Sequence, residues 1–555
     1  MKHLVLAFSL LLSAPAFAKG GAVTSADPRA TEAGMEMLRA GGSAADAAIA
    51  TLLALSVVEP QSSGIGGGSF IVHYDAAKGE TGTVDGRETA PAATTETRFL
   101  DADGKPLPFI QAVVGGKSVG VPGNISAVAR AHARWGKLPW KRLFAPAIRL
   151  AEEGYVVTPR LAGVIKQMAP AWDGIDQTRA LYMRDGRPVA AGERVVNPAK
   201  AALLKAIARK GPKAFYTGAN AKAISDAVSK APKNAVPLTV AEIGAYKAKD
   251  RAPLCTTYRV YKLCGMGPPS SGATTVFQIL GMIERFDLKA LGKDSPVAWH
   301  LIAEAMMLAY ADREQYLADP DFVSVPAAGL LDKSYIASRS ALIAEKTSLP
   351  RYTAGNPPGA QPRTAAISGE VAGTTHFIAA DGRGNVATMT STVEGPFGSQ
   401  LTANGVALNN ELTDFSWTPV RDGAPVANRP QPGKRPLSSM SPTIVYDASG
   451  KPVFAVGAAG GKRIIMQVTK TLIAHLDWGM DAQAALAAPN IYFGGEAVLL
   501  ESDTPLAKMM AEVAKLGRTV VTSPLAPSKA NAMELTPQGW RGAADPRSDG
   551  NALSE

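Results

Sequence analysis

The chain has 555 residues, 46% of them hydrophobic and 6% aromatic, with a formal net charge of +10 and only two cysteines. The basic residues are scattered and aromatics are few, which fits a solvated basic surface and argues against a nucleic-acid-binding stripe. The length is several times that of a usual domain, yet no repeat or charged block divides it, so one large core and two closely packed halves both stay open.

The opening, MKHLVLAFSLLLSAPAFA, has a basic residue at Lys2, an apolar stretch from Leu4 to Leu12 and small residues at Ala16 and Ala18. This is the pattern of a secretory signal peptide over residues 1–18, cleaved after Ala18. No cysteine follows to carry a lipid. No later segment reaches the ~20 apolar residues of a bilayer span; the best rival, Ala47 to Val58, suits a buried helix. The expected mature chain is soluble and exported, with no membrane anchor.

Residues 26–59 have apolar positions at helical spacing around a Gly41-Gly42 break. SSGIGGGSFIVHYD then gives a glycine loop running into a strand from Phe70 to Tyr74. AVVGGKSVGVPG continues a mixed strand and helix pattern, followed by helices through NISAVARAHARWG and LFAPAIRLAEEG. Cys255 and Cys264 flank TTYRVYKL, where a tight reversal would set them opposite each other. Tyr-Arg-Val is poor turn chemistry, so a disulfide and two free thiols both stay open. Residues 296–317 read as a strong amphipathic helix.

The periodicity stops at residues 348–373, a Pro- and Gly-rich stretch of a length that is uncommon inside a compact domain. Strand chemistry resumes abruptly at Thr374. Strands Thr374 to Asp381 and Asn385 to Thr392 flank Gly382-Arg383-Gly384, a three-residue hairpin signal. A symmetric hairpin places Thr374 opposite Thr392; a glycine bulge would slip this by one residue.

Several tempting signals fail. GAAGGKR has the wrong glycine spacing for a phosphate loop and Arg463 where Ser or Thr belongs. SGIGGGS lacks the last glycine of a dinucleotide fingerprint. No G-x-S-x-G elbow occurs, and His3, His73, His132, His300, His376 and His475 show no metal-ligand spacing. Neither a metal nor an organic cofactor is expected.

The blocks VVEPQSSGIGGGSF, DGRETAP, VGVPGN, PPSSG, ADREQYLADPDF, GTTHF, NNELTDFS, KRPLSSMSPTI, GGKRII and ADPRSDG, in this order over nearly all of the mature chain, resemble the γ-glutamyltranspeptidases, members of the N-terminal-nucleophile hydrolases. The resemblance implies an α+β fold, the αββα four-layer sandwich. It implies self-cleavage between Gly373 and Thr374, giving a large subunit of residues 19–373, with 348–373 as a flexible linker, and a small catalytic subunit of 374–555 that together form a heterodimer. Freed, Thr374 is the nucleophile and its α-amino group the base, near its working pH at an ordinary pKa of ~7.7–8.0. Thr392 orients its hydroxyl. Gly460 and Gly461 match the oxyanion-hole glycines. Arg87, Ser438 and Ser439 match the residues that hold the donor's α-carboxylate, and Glu394, Glu411 and Asp414 those that accept from its α-ammonium.

The implied activity is cleavage of γ-glutamyl amides such as glutathione, with transfer to water, amino acids or short peptides, in the periplasm. A glutaryl-cephalosporin acylase is the near rival, opposed by three carboxylates that a donor without an ammonium leaves uncompensated. A poly-γ-glutamate-processing enzyme is another. A third reading, an uncleaved, non-catalytic periplasmic binding protein, is opposed by the intact Thr374, Thr392 and glycine pair. Besides Glu394, at a position where some members carry asparagine and others glutamate, two departures from the family pattern stand out. The lid segment 416–434 is shortened, with Trp417 its only aromatic residue, and GAAGGK replaces the commoner Ser-Pro before the glycine pair.

Overall fold

The computed structural model describes residues 21–365, 373–494, 497–524 and 529–555. The signal-peptide reading for residues 1–18 and the end of the linker, 366–372, lie outside the described residues. Two large sheets dominate. Their strands along the chain are β1 (Ala22–Ser25), β2 (Gly68–Asp75), β3 (Glu80–Asp85), β4 (Lys249–Arg251), β5 (Pro253–Tyr258), β6 (Tyr261–Met266), β7 (Thr375–Ala380), β8 (Val386–Thr392), β9 (Thr443–Tyr446), β10 (Pro452–Gly457), β11 (Asn531–Thr536), β12 (Gly539–Ala544) and β13 (Asn551–Ser554). The first sheet runs β13-β1-β7-β8-β2-β3-β4 and the second β12-β11-β10-β9-β6-β5.

Side-chain alternation along β7 and β8 explains the layering. Phe377, Ala379, Ala387 and Met389 join a core shared with the helices α1 (Pro28–Arg39), α2 (Ala44–Val58) and α3 (Asn124–Trp135). Ile378, Ala380 and Val386 point the other way, into a core shared with Phe454, Val456 and Ile444 of the second sheet. That sheet is covered in turn by α4 (Gly272–Ile283), α5 (Pro296–Tyr316) and α6 (Arg463–Leu476). Helices, sheet, sheet and helices thus follow one another. Every residue of α2 is buried, Asp46, Thr51 and Ser56 included, and Ser43 with Asp46 closes its N-terminus in a capping box. Among the described residues no helix is long and apolar enough to cross a membrane.

The β7–β8 hairpin has the symmetric register: Thr375 faces Ser391 and Ala380 faces Val386, with no slip. Gly384, at φ +89°, closes the turn. The ladder begins at Thr375, one residue later than expected. Thr374 stands outside it at φ +77°, a strained conformation for a β-branched residue. The AVVGGKSVGVPG segment builds no ladder beyond an isolated bridge from Val121 to Thr89. Gly115, at φ +106°, breaks the extended run.

Cys255 and Cys264 face each other across β5 and β6 and are disulfide-bonded. The unfavourable turn is held from outside. Arg259, at φ +55°, gives its N–H to Glu284, its Nε to Asp477 at 2.9 Å and its Nη2 to the Phe286 carbonyl at 2.9 Å. The first part of the 348–373 stretch is likewise anchored, to α5: Leu349 and Gly355 give N–H bonds to Glu304 and Asp312, at 3.1 and 2.8 Å.

Candidate active site

The glycine loop before β2 has a steric purpose. A Cβ on Gly67 would lie 1.9 Å from the Thr392 carbonyl oxygen, and one on Gly373 would lie 1.7 Å from that of Glu394. Glycine alone lets these backbones meet at the start of β7. There Thr374 gives its N–H to the Ser62 carbonyl at 3.1 Å and its hydroxyl to Thr392 Oγ1 at 3.0 Å. Thr392 Oγ1 also accepts from the Glu394 N–H at 2.7 Å, which fixes its lone pairs and leaves its own proton to point elsewhere. Behind Ser62, its hydroxyl lies 2.7 Å from Lys529 Nζ, which also pairs with Glu59 at 2.7 Å. All three are buried.

The acidic turn Glu411–Asp414 is held by the two asparagines before it. Asn409 Oδ1 accepts from Gly120 and Glu411 N–H groups, while its Nδ2 gives to the Gly66 and Gly120 carbonyls at 2.9 Å. Asn410 Nδ2 gives to Glu394 Oε2 at 2.6 Å, and its Oδ1 takes the Gly395 N–H at 2.8 Å. Arg87 spans the turn and the segment before Ser438. It pairs with Glu411 through Nη1 and with Asp414 through Nη2 at 2.6 Å, and gives to the Pro436 and Leu437 carbonyls at 3.1 and 2.6 Å. The side chain of Arg87 therefore does not pair with Asp85 or Glu88, the local partners its sequence neighbourhood offers. Burial opposes its charge, but the surrounding carboxylates more than offset this and hold it above the ordinary arginine range.

Arg87, Thr374, Thr392, Glu394, Glu411, Asp414, Ser438, Ser439 and Gly461 line one small cavity, together with Met440 and Ile464. Gly460 stands next to it at φ +131° and Gly461 at φ +58°, just before α6. Gly461 shares the cavity with Thr374, and a Cβ on Gly460 would crowd Gln467 at 3.1 Å. Larger hollows lie elsewhere, such as one between β5 and residues 331–341, but they hold none of this constellation.

Some residues of the site went unnoticed in the sequence. Arg313 of α5, fully buried, gives Nη2 to Ser439 Oγ and Nε to Ser271 Oγ, both at 2.8 Å. Glu88, Asn410, Ser62, Glu59 and Lys529 are further examples. The signal was present for five of these six, since Glu59 and Ser62 sit in VVEPQSSGIGGGSF, Glu88 in DGRETAP, Arg313 in ADREQYLADPDF and Asn410 in NNELTDFS; Lys529 lies in none of the blocks.

His376, beside the nucleophile in sequence, is a core residue. Burial pushes its pKa down to about 3, and its ring nitrogens meet Thr390 and Thr388 hydroxyls at 2.8 and 3.2 Å. Lys462 of GAAGGKR pairs with Glu314 at 2.7 Å. Trp417 stacks on Phe99 and Phe109, at 5.1 and 5.9 Å, and does not line the cavity. Among the described residues no group of His, Cys, Asp and Glu is arranged to hold a metal ion.

The family model described as Gamma-glutamyltranspeptidase matches residues 30–554. The glutathione hydrolase proenzyme of Bacillus subtilis (strain 168) is 36% identical, over 96% of this chain and 91% of its own. The Acylase ACY 1 proenzyme of Pseudomonas sp. (strain SE83) is 37% identical, over 97% and 94%. The crystal structure of cephalosporin acylase from Bacillus halodurans superposes with a TM-score of 0.85 at 28% identity, covering 99% of each chain.

Proposed function

The chain belongs to the γ-glutamyltranspeptidase family, and from that premise we propose that it is an exported, self-cleaving enzyme of N-terminal-nucleophile type that acts on γ-glutamyl amides such as glutathione. Cleavage of the Gly373–Thr374 bond frees an α-amino group on Thr374. The strained φ of Thr374 and the glycine-only space before it support a bond poised to break. The pieces stay together afterwards, because β1 lies between β13 and β7, both from beyond the cut. The disulfide fits an oxidising compartment such as the periplasm.

In the mature enzyme the Thr374 amine takes the proton of its own hydroxyl as Oγ1 attacks the γ-carbonyl carbon. The N–H groups of Gly460 and Gly461 stabilise the oxyanion. The C–N bond breaks, the proton passes to the departing amine, and a glutamyl ester remains on Thr374. Water, an amino acid or a short peptide then attacks the ester, giving its proton to the Thr374 amine, and the hydroxyl is restored. Arg87, Ser438 and Ser439 face the donor's α-carboxylate, with Arg313 fixing Ser439. Glu394, Glu411 and Asp414 accept from its α-ammonium.

One observation carries the γ-glutamyl reading: the carboxylates of Glu394, Glu411 and Asp414 line one cavity with Arg87 and Thr374, the mixture of acceptors and guanidinium that a donor with both an α-ammonium and an α-carboxylate needs. The rival reading, removal of a glutaryl group without an ammonium, is favoured by acylase relatives of equal identity. Comparing γ-glutamyl-p-nitroanilide with glutaryl-p-nitroanilide decides between them. A buried charge left without its partner costs ~2 kcal/mol or more, so kcat/KM is expected to favour the γ-glutamyl donor about 30-fold or more. Equal or better turnover of the glutaryl donor would overturn the assignment.

A further inference from the structure

Within this site one carboxyl group has been given no task. Glu88 follows Arg87 directly, is fully buried, and receives a hydrogen bond on neither oxygen among the described residues. Glycines wall it in: a Cβ on Gly68 would lie 2.3 Å from its Oε2, and one on Gly120 would lie 2.8 Å from its own Cβ. The side chain within hydrogen-bonding reach is Glu411. Glu411 has one oxygen on Arg87, and its other, Oε2, also lacks a donor. Ionised carboxylates only accept, so two of them in contact in a buried site need a proton between them.

We propose that Glu88 and Glu411 share one proton, which makes Glu88 a positioning residue that sets the orientation and charge of Glu411, and through it the preference for donors with an α-ammonium. The selectivity half of this rests on the γ-glutamyl reading; the shared proton does not. The charged and titratable groups around the pair are Arg87, Asp414 and Glu394, with the phenols of Tyr216 and Tyr246. The phenols give their protons to the Pro122 and Arg87 carbonyls, so neither supplies Glu88 with a donor. Burial pushes Glu88 up to about 8, against the pull of Arg87. Burial holds Glu411 above the carboxylate range too, with Arg87 opposing and Glu88 and Glu394 adding to it. At neutral pH the pair carries one negative charge, anchored on Arg87, and the Glu88 carboxyl locks the Glu411 rotamer from behind.

Infrared difference spectra of the intact protein at pH 7 test the shared proton directly. Glu88→Gln and Glu411→Gln are each expected to lose the C=O band of one buried, protonated carboxyl, because the introduced amide donates in place of the proton. An unchanged band in Glu88→Gln would overturn the proposal. A band lost there but kept in Glu411→Gln would also overturn it, since Glu88 would then hold its proton alone.

Kinetics with γ-glutamyl-p-nitroanilide test the positioning role. Glu88→Ala is expected to raise KM about tenfold with a smaller change in kcat, and Glu88→Gln to recover most of it. Equal losses in both variants would contradict that role. Absence of γ-glutamyl turnover in the unaltered protein would instead sink the functional reading, and the infrared result would still decide the proton.

Discussion

Thr374→Ala is expected to remain one uncut chain and to lose γ-glutamyl turnover by on the order of 10⁶-fold, the scale seen when a hydrolase loses its nucleophile. The same hydroxyl is asked to do two things: attack the Gly373 carbonyl once, and attack donor carbonyls in every later turnover. Folding is expected to survive. Alanine removes one hydrogen bond, to Thr392 at 3.0 Å, worth about 1 kcal/mol. Alanine also fits a φ of +77° no worse than a β-branched residue does. Thr374→Ser keeps the hydroxyl and is expected to process itself, at a reduced rate. Denaturing electrophoresis with a γ-glutamyl-p-nitroanilide assay checks both. An alanine variant that is cut as the parent is would assign the cleavage to another group.

The second large effect is at Arg87, where stability and binding meet in one side chain. Its fork reaches two carboxylates and two carbonyls at once, and it is 1% exposed. Arg87→Met leaves Glu411 and Asp414 buried without their counter-ion, a change that typically costs about 3–5 kcal/mol. The sign of the pH dependence follows. With Arg87 gone, the pull that opposes burial at Glu411 is lost, and its folded-state pKa, already above the unfolded value, rises further. A carboxyl raised in this way is neutral and harmless below its unfolded pKa, and costs stability as pH rises towards the folded one. The drop in melting temperature of Arg87→Met is therefore expected to be larger at pH 8 than at pH 5. Arg87→Lys keeps a charge but offers three donors from one point. It is expected to recover part of the stability while KM for the donor stays about 100-fold high, as for a lost charge-assisted contact of ~3 kcal/mol. A lysine variant with the parent's KM would contradict the assignment of Arg87 to the donor carboxylate.

The local elements were legible because short-range physics decides them. The glycines around Arg383 set the β7–β8 register, and that register alone puts Thr392 opposite Thr374. The glycine break at 41–42 and the capping residues set α1 and α2. Of the strand character expected in AVVGGKSVGVPG only the bridge at Val121 remains, because Gly115 at positive φ breaks the extended run. The Cys255–Cys264 turn looked unfavourable because its support comes from Glu284 and Asp477, far along the chain. Arg87 and Glu411 belong to segments 324 residues apart, and Arg313 reaches Ser439 over 126. Periodicity carries no trace of such pairs. The motifs located the site residues, but their mutual pairing emerged only in three dimensions. Arg87 is a case in point: its neighbours Asp85 and Glu88 are the obvious partners in sequence, yet its guanidinium turns to Glu411 and Asp414.

The proposed chemistry depends on Thr374 becoming a free N-terminus. Denaturing electrophoresis of the purified protein, with N-terminal sequencing of every band, tests it most directly. Two bands are expected, the smaller beginning Thr-Thr-His-Phe. One uncut band, stable on prolonged incubation, would contradict it.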